Sequence, residues 1–508
     1  MKRSAEKRKL SASEMKTRND AKTAILIEIL LAFSIYKNTK KIFDVSPDST
    51  KDHVKCIHGI RALSIIWVIF AHSYSSGTLF VDNAFDILAI PNNILNQLML
   101  NATLAVDAFF FMSGTLLAYL QLRRMKCNDG KHAYNWKKWS QLLAHRYFRS
   151  VVFLCAFCAF APLISRLTPV YAFVLFVQIF LIRYSTDGPL WNPGGFEPKL
   201  CRTGWWTNLA YINNLISLDR SCMVWSWYLA NDTQFFVISL PLIMLLWTNG
   251  TLGILAISLL IVATSIIRGF IVMSNDAFPP INIFYNDLER LQSTEEFTYK
   301  VYFSPHCRIG PYLVGLLVGY ILFKYRKSFK LSMISNMLLW VASFALGLGV
   351  LFGMYDFCKT GRISDIGKAI YGSSCRVLWS LFLAWIVLAA STGHGGFINK
   401  FLSSKRWKPM SRLVYSAYLV HPIIMLLYYT SFMKPIHYEG HYQLAYSCEQ
   451  NIMNECYCTG DANVKYQYHL QRHRTIAASG YDVHPWPDFA FNTNWDFLEA
   501  LKTGQYMR

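Results

Sequence analysis

Charge is what this chain has least of. Asp, Glu, Lys and Arg together make up 16% of its 508 residues, where a soluble domain carries about 25%. Acid is scarcer than base, with 30 Asp+Glu against 50 Lys+Arg, while 53% of the residues are hydrophobic. That balance excludes an ordinary soluble enzyme. Metal-ligand spacing is also missing: the 12 cysteines form no CxxC…CxxC or Cys/His pattern, and Cys456 and Cys458 stand too close together for the usual zinc arrangement. No metal is assigned, and no internal repeat is present.

What the chain does have is a series of long apolar runs. Segments 60–80, 94–121, 169–184, 227–248, 250–273, 308–325, 331–354, 376–391 and 411–432 each suit a hydrocarbon core about 30 Å thick. The run 150–164 is ambiguous. Residues 1–36 form a basic N-terminal segment whose apolar part, 24–36, contains Glu28 and is too short to span, so an interfacial or truncated helix is expected there. From 437 to 508 the chain is a polar tail of unknown structure with no spanning helix. The fold class expected is therefore all-α, a multi-pass transmembrane bundle of about 9–10 spanning helices, with residues 37–436 as the membrane domain.

The net charge of +20 is distributed as topology, with no sign of a nucleic-acid partner. Lys and Arg accumulate in cytoplasmic loops, which places 122–149 inside, with Arg123, Arg124, Lys126, Lys131, Lys137, Lys138, Arg146 and Arg149. If a single crossing lies between 150 and 184, then 274–307, with five acids and two bases, is outside. The same choice puts Lys324, Arg326, Lys327, Lys330, Lys400, Lys405, Arg406 and Lys408 inside. Two crossings would invert all of these, so one is expected. Residues 185–226, with Cys201 and Cys222, then face the lumen or exterior, as do Cys307, Cys358 and Cys375. Disulfides can form there, though spacing fixes no pairing and buried free thiols are the alternative.

A few ionisable residues fall inside the runs. Arg61 and His72 are eleven residues apart in RALSIIWVIFAH, which puts them on one helical face about 16 Å apart. A histidine within the bilayer is costly unless it faces protein or water, so it is either functional or an interhelical hydrogen bond. Asp107 falls at similar depth in AVDAFFFMSGTLLAYL, either as a partner that orients His72 or as a structural polar contact. Ser113-Gly114 reads as close helix packing. Arg146 and Arg149 in HRYFR could bind phosphate as a planar fork or act as a topology anchor. Trp225, Asn231, Asp232 and Gln234 could receive a hydroxyl-bearing acceptor or form an interfacial belt. His421, in YSAYLVHP, either completes the polar centre or satisfies a carbonyl loosened by Pro422.

In these residues the chain resembles the membrane acyltransferase family 3, in its animal, nose-resistant-to-fluoxetine-like branch. GIRALSIIWVIFAHSY, AVDAFFFMSGTLLAYL, WWTNLAYINN, WSWYLANDTQFF, CRIGPYLVGLLVGY and SRLVYSAYLVHP carry the resemblance, over about 37–436. Residues 150–166 interrupt it as a possible insertion, and the polar tail stands where the family has its last membrane helix. The resemblance implies an integral membrane enzyme that moves an acyl group, typically acetyl, from cytoplasmic acyl-CoA to a lipid or hydroxylated small-molecule acceptor, with no cofactor. His72 would be the general base; that Asp107 is its partner is a reading of their similar depth and not part of the resemblance. Arg61, Arg146 and Arg149 would hold the donor. The other function the scaffold suits is lipid or small-molecule transport without chemistry. The membrane would be an endomembrane or the plasma membrane, with the N-terminus cytoplasmic.

Overall fold

In the computed structural model the described residues are 34–46, 54–77, 80–83, 86, 90–127, 168–185, 191, 198–216, 222–274, 298–326, 328–360, 363–432 and 436. Among the described residues nine helices form the bundle: α1 Cys56–Gly77, α2 Thr103–Cys127, α3 Thr168–Phe176 continuing to Tyr184, α4 Trp227–Thr248, α5 Gly250–Ser274, α6 Pro305–Tyr325, α7 Met333–Phe352, α8 Asp365–Thr392 and α9 Trp407–Thr430. Eight are long and apolar enough to cross a membrane, and Val170–Tyr184 is a shorter apolar helix. No β-strand occurs among the described residues. The chain is a multi-pass helical membrane protein, as its composition predicts.

Local signals set the helix ends. Ser364 caps α8, accepting a hydrogen bond from Gly367 N at 3.1 Å, and Asp365 follows in the first turn, where a negative charge favours the helix N-terminus. At the other end Gly393 adopts φ 92°, which lets His394 N donate back to Ala389 O. The expected start of this span at 376 is eleven residues late. The expected interfacial helix over 24–36 falls mostly outside the described residues, but Ile35–Phe43 is a helix. Arg412 Nη1 fastens the chain there by donating to the carbonyls of Lys41, Ile42 and Asp44.

Helices gain no hydrophobic free energy by associating within lipid, so close backbone packing and polar contacts must hold them. The central pair, α2 and α6, shows both. They run parallel, joined at one end by Asp107 with Arg308 and at the other by Tyr119 with Arg326. Between these ties their backbones touch through glycine: a Cβ on Gly114 would lie 2.2 Å from Tyr312 O, and one on Gly315 would lie 2.2 Å from Phe111 O. Helix α6 is the axis of the bundle and is mostly buried, whereas α5 is mostly exposed and lies at the periphery.

Helix α4 is parallel to α2. Ser113, midway along α2, meets Asp232 in the second turn of α4, while Lys126 and Trp247 both pack on Phe323 near the ends of these helices. The chain leaves α2 at one end of the bundle and begins α4 at the other, so the connection makes a net single crossing; the ambiguous run 150–164 lies outside the described residues. The end that carries Lys126, Lys324, Arg326 and Arg406 is strongly basic. Beyond the opposite end, the helix Pro198–Leu209 is joined to the start of α4 by the Cys201–Cys222 disulfide. Cys307, Cys358 and Cys375 are buried free thiols.

Because the α2–α6 seam has no space for a side chain, Gly315→Leu forces the two helices apart. A destabilisation of at least about 1–3 kcal/mol is expected, the cost of overpacking a close-packed interior. Melting of the detergent-solubilised protein followed by size-exclusion chromatography checks this; an unchanged midpoint would contradict the seam.

Candidate functional site

Helices α1 and α9 run side by side and bring the two histidines together. His72 Nδ1 lies 2.8 Å from His421 Nε2, and His421 Nδ1 lies 3.0 Å from Ala417 O. A carbonyl can only accept, so His421 Nδ1 carries a proton, and in neutral His421 Nε2 is then an acceptor. The proton between the rings must therefore sit on His72 Nδ1, which leaves the lone pair on His72 Nε2. His421 is buried and His72 is only partly so. One backbone carbonyl thus fixes both tautomers and leaves the unprotonated nitrogen of His72 as the one not bonded to His421. Pro422 cannot donate to Tyr418 O, but the carbonyl His421 engages is one residue earlier. His421 joins the polar centre and bonds backbone as well.

Asp107 does not orient His72. Its Oδ1 accepts from Arg308 Nη1 at 2.9 Å and from Arg376 Nη1 at 3.1 Å, and its Oδ2 accepts from Arg376 Nη1 at 2.8 Å. A buried carboxylate between two guanidinium groups gains charge-assisted bonds that a neutral imidazole cannot match. Asp107 also packs level with the middle of α1, where Ala105 meets Ile65 and Val68, whereas His72 is nearer the helix end.

Arg61 is partly buried, within electrostatic reach of Tyr228 and Asp232. Asp232 in turn accepts from Ser113 Oγ at 2.7 Å. Its neighbours Asn231 and Gln234 are committed elsewhere. Asn214 Nδ2 donates to Asn231 Oδ1 at 2.8 Å and to Gln234 Oε1 at 3.1 Å, while Gln234 Nε2 donates to Tyr211 O and Asn214 Oδ1. Asn231 Nδ2 reaches Phe303 O at 2.9 Å. Both amides therefore hold the segment Tyr211–Asn214 onto α4, and each of their nitrogens and oxygens already makes a hydrogen bond. At Trp225 the carbonyl accepts from Tyr418 Oη, and the buried indole N–H has no hydrogen-bond partner. Arg146 and Arg149 lie outside the described residues.

Sequence reasoning missed Arg308 and Arg376 as partners of Asp107, and Asn214 as the hub of the amide network. The two arginines were available as a signal, since each stands at the first position of an expected span. A charge there reads as a membrane edge, yet α6 begins at Pro305 and α8 at Asp365. No cluster of three or more His, Cys, Asp or Glu that could hold a metal occurs among the described residues.

The family profile described as an acyltransferase domain, of the acyltransferase-3 type, matches residues 54–446. Nose resistant to fluoxetine protein 6 of Caenorhabditis elegans is 32% identical over 434 residues, covering 82% of this chain and 50% of that protein. Regulator of hypoxia-inducible factor 1, also of Caenorhabditis elegans, is 24% identical over 408 residues, covering 74% of this chain and 72% of its own length. The chain thus spans about half the length of the first relative. No solved structure matches.

Asn214→Ala leaves Asn231 Oδ1 and Gln234 Oε1 without their donor. A loss of about 1–3 kcal/mol for each unsatisfied buried group is expected, read as a lowered melting midpoint. Full stability in the variant would show that water replaces the amide and that the network is not structural.

Proposed function

The chain belongs to the acyltransferase-3 family of membrane proteins, and from that premise we propose that it transfers an acyl group, acetyl foremost, from cytoplasmic acyl-CoA to a hydroxyl-bearing acceptor. His72 is the general base of this proposal. The observation that carries it is the chain from Ala417 O through His421 to His72, which leaves His72 Nε2 unprotonated on the only partly buried ring.

In this reading His72 Nε2 takes the proton of the acceptor hydroxyl as its oxygen attacks the thioester carbon. The C–S bond then breaks, the CoA thiolate leaves, and the proton on Nε2 passes to sulfur. The imidazolium formed meanwhile on His72 shares its Nδ1 proton with His421 Nε2. His421 acts by position, holding the ring and accepting that hydrogen bond, and it need not itself titrate. Arg61, Arg146 and Arg149 are the proposed holders of donor phosphates. From Arg61 to His72 is about 16 Å along α1, a span that an extended pantetheine arm covers. Asp232, bonded to Ser113, lies within electrostatic reach of Arg61, and the unspent indole N–H of Trp225 is the donor offered to the acceptor.

Orientation belongs to the same proposal. An excess of Lys and Arg at the basic end of the bundle supports a cytoplasmic position for it. The Cys201–Cys222 disulfide at the opposite end suits an oxidising lumen or exterior.

His72→Ala is expected to lower acetyl transfer from radiolabelled acetyl-CoA by about 10²–10⁴-fold, the range of a general base, with CoA binding retained. His421→Phe is expected to lower kcat more than it raises KM. Intact transfer in His72→Ala would overturn the base assignment. Retained acceptor uptake with no acyl-CoA binding in the wild-type chain would instead favour transport. For orientation, glycosylation tags in 185–200 should be modified and tags in 393–410 should not; the reverse pattern would invert the topology.

A further inference from the structure

Away from the histidines, the bundle buries three arginines around one acid. Arg268 of α5, Arg308 of α6 and Arg376 of α8 are 5%, 0% and 6% exposed, and Asp107 is 0% exposed. Asp107 is bonded to Arg308 and Arg376, so among the described residues three positive charges against one negative leave two in excess. Arg308 satisfies part of its surplus by donating Nε to Tyr302 O at 2.8 Å and lying over the rings of Tyr302 and Trp227, 4.1 and 5.0 Å from their centroids. Arg268 has no such provision: its Nη2 meets Cys375 Sγ at 2.9 Å, and its Nε is buried without a partner, as is Arg376 Nε. Excess charge at this depth is costly unless something answers it.

Arg268 and Arg376 line the same small cavity, together with Thr103, Tyr302, Tyr371 and the apolar Val272. We propose that this cavity binds a small carboxylate, which would accept from the unspent N–H groups of Arg268 and Arg376. The planar guanidinium fork matches a planar carboxylate. The space suits a group about the size of one or two water molecules, which excludes a phosphate diester or a nucleotide. The site is separate from His72 and does not rest on the acyl-transfer reading.

The test uses the full chain in detergent, with sodium acetate as the probe and sodium gluconate and sodium chloride as controls at fixed ionic strength. Acetate is expected to raise the melting midpoint saturably above that in gluconate, and radiolabelled acetate is expected to bind with about one site per chain. Arg268→Gln should abolish both effects and, having lost an unanswered charge, should melt in gluconate no lower than the wild-type chain. Arg268→Lys, which keeps the charge and loses the fork, should bind acetate at least tenfold more weakly. Equal midpoints in acetate and gluconate would overturn the proposal, as would a shift produced by chloride alone or an acetate effect that survives in Arg268→Gln. So would an Arg268→Gln chain that melts well below the wild-type in every salt, because Arg268 would then be a structural partner of Cys375.

Discussion

The carboxylate of Asp107, bound by Arg308 and Arg376, joins three helices from parts of the chain 201 and 269 residues apart in sequence. Lipid offers no water to either side of these pairs, so breaking one leaves an uncompensated charge inside the bundle. The pair to Arg308 fixes the register of α2 against α6, and that register sets Gly114 and Gly315 opposite backbone carbonyls. A shift of one residue along the seam would bring a side chain to the point where two backbones touch. The pair to Arg376 adds α8 to the same axis. Around this core the remaining helices are placed by packing, which leaves α5 and α7 mostly facing outward.

On the far side of α2 the polar residues divide by what they are bonded to. Asn231 and Gln234 are fully engaged with Asn214, Tyr211 and Phe303 and work as structure. His72 is different: its Nδ1 bonds His421 while the ring as a whole stays partly accessible. The parallel course of α1 and α9 makes this arrangement possible: it brings His421 alongside His72, while the α9 backbone provides the carbonyl that fixes both tautomers. No carboxylate is needed for that, which frees Asp107 to hold the helices together.

Much of this was legible in the sequence. Long apolar runs give the spanning helices, and the basic loops give the single net crossing between α2 and α4 that the parallel course of those helices requires. The Ser113-Gly114 pair reads as packing, and packing is where Gly114 sits. The partner of Asp107 was not legible, because depth along a helix does not say which neighbour a side chain faces. At equal depth a histidine and an arginine are both plausible, and the choice depends on contacts between segments more than 200 residues apart. Arg308 and Arg376 were further hidden by the habit of reading a charge beside an apolar run as its edge. Asn231 and Gln234 have a donor and an acceptor on each amide, so their spacing suits a ligand as well as a neighbouring loop. Only the position of Asn214 separates the two.

The central claim is that the unprotonated Nε2 of His72 faces the reacting thioester. A cryo-electron microscopy structure of the full chain in nanodiscs, with a non-hydrolysable acetyl-CoA analogue bound, tests it directly. The account predicts the analogue's carbonyl beside His72 Nε2, its phosphates near Arg61, and the His72–His421 contact intact. An analogue bound with its carbonyl remote from His72, or a His72 ring turned so that Nε2 bonds His421, would contradict it.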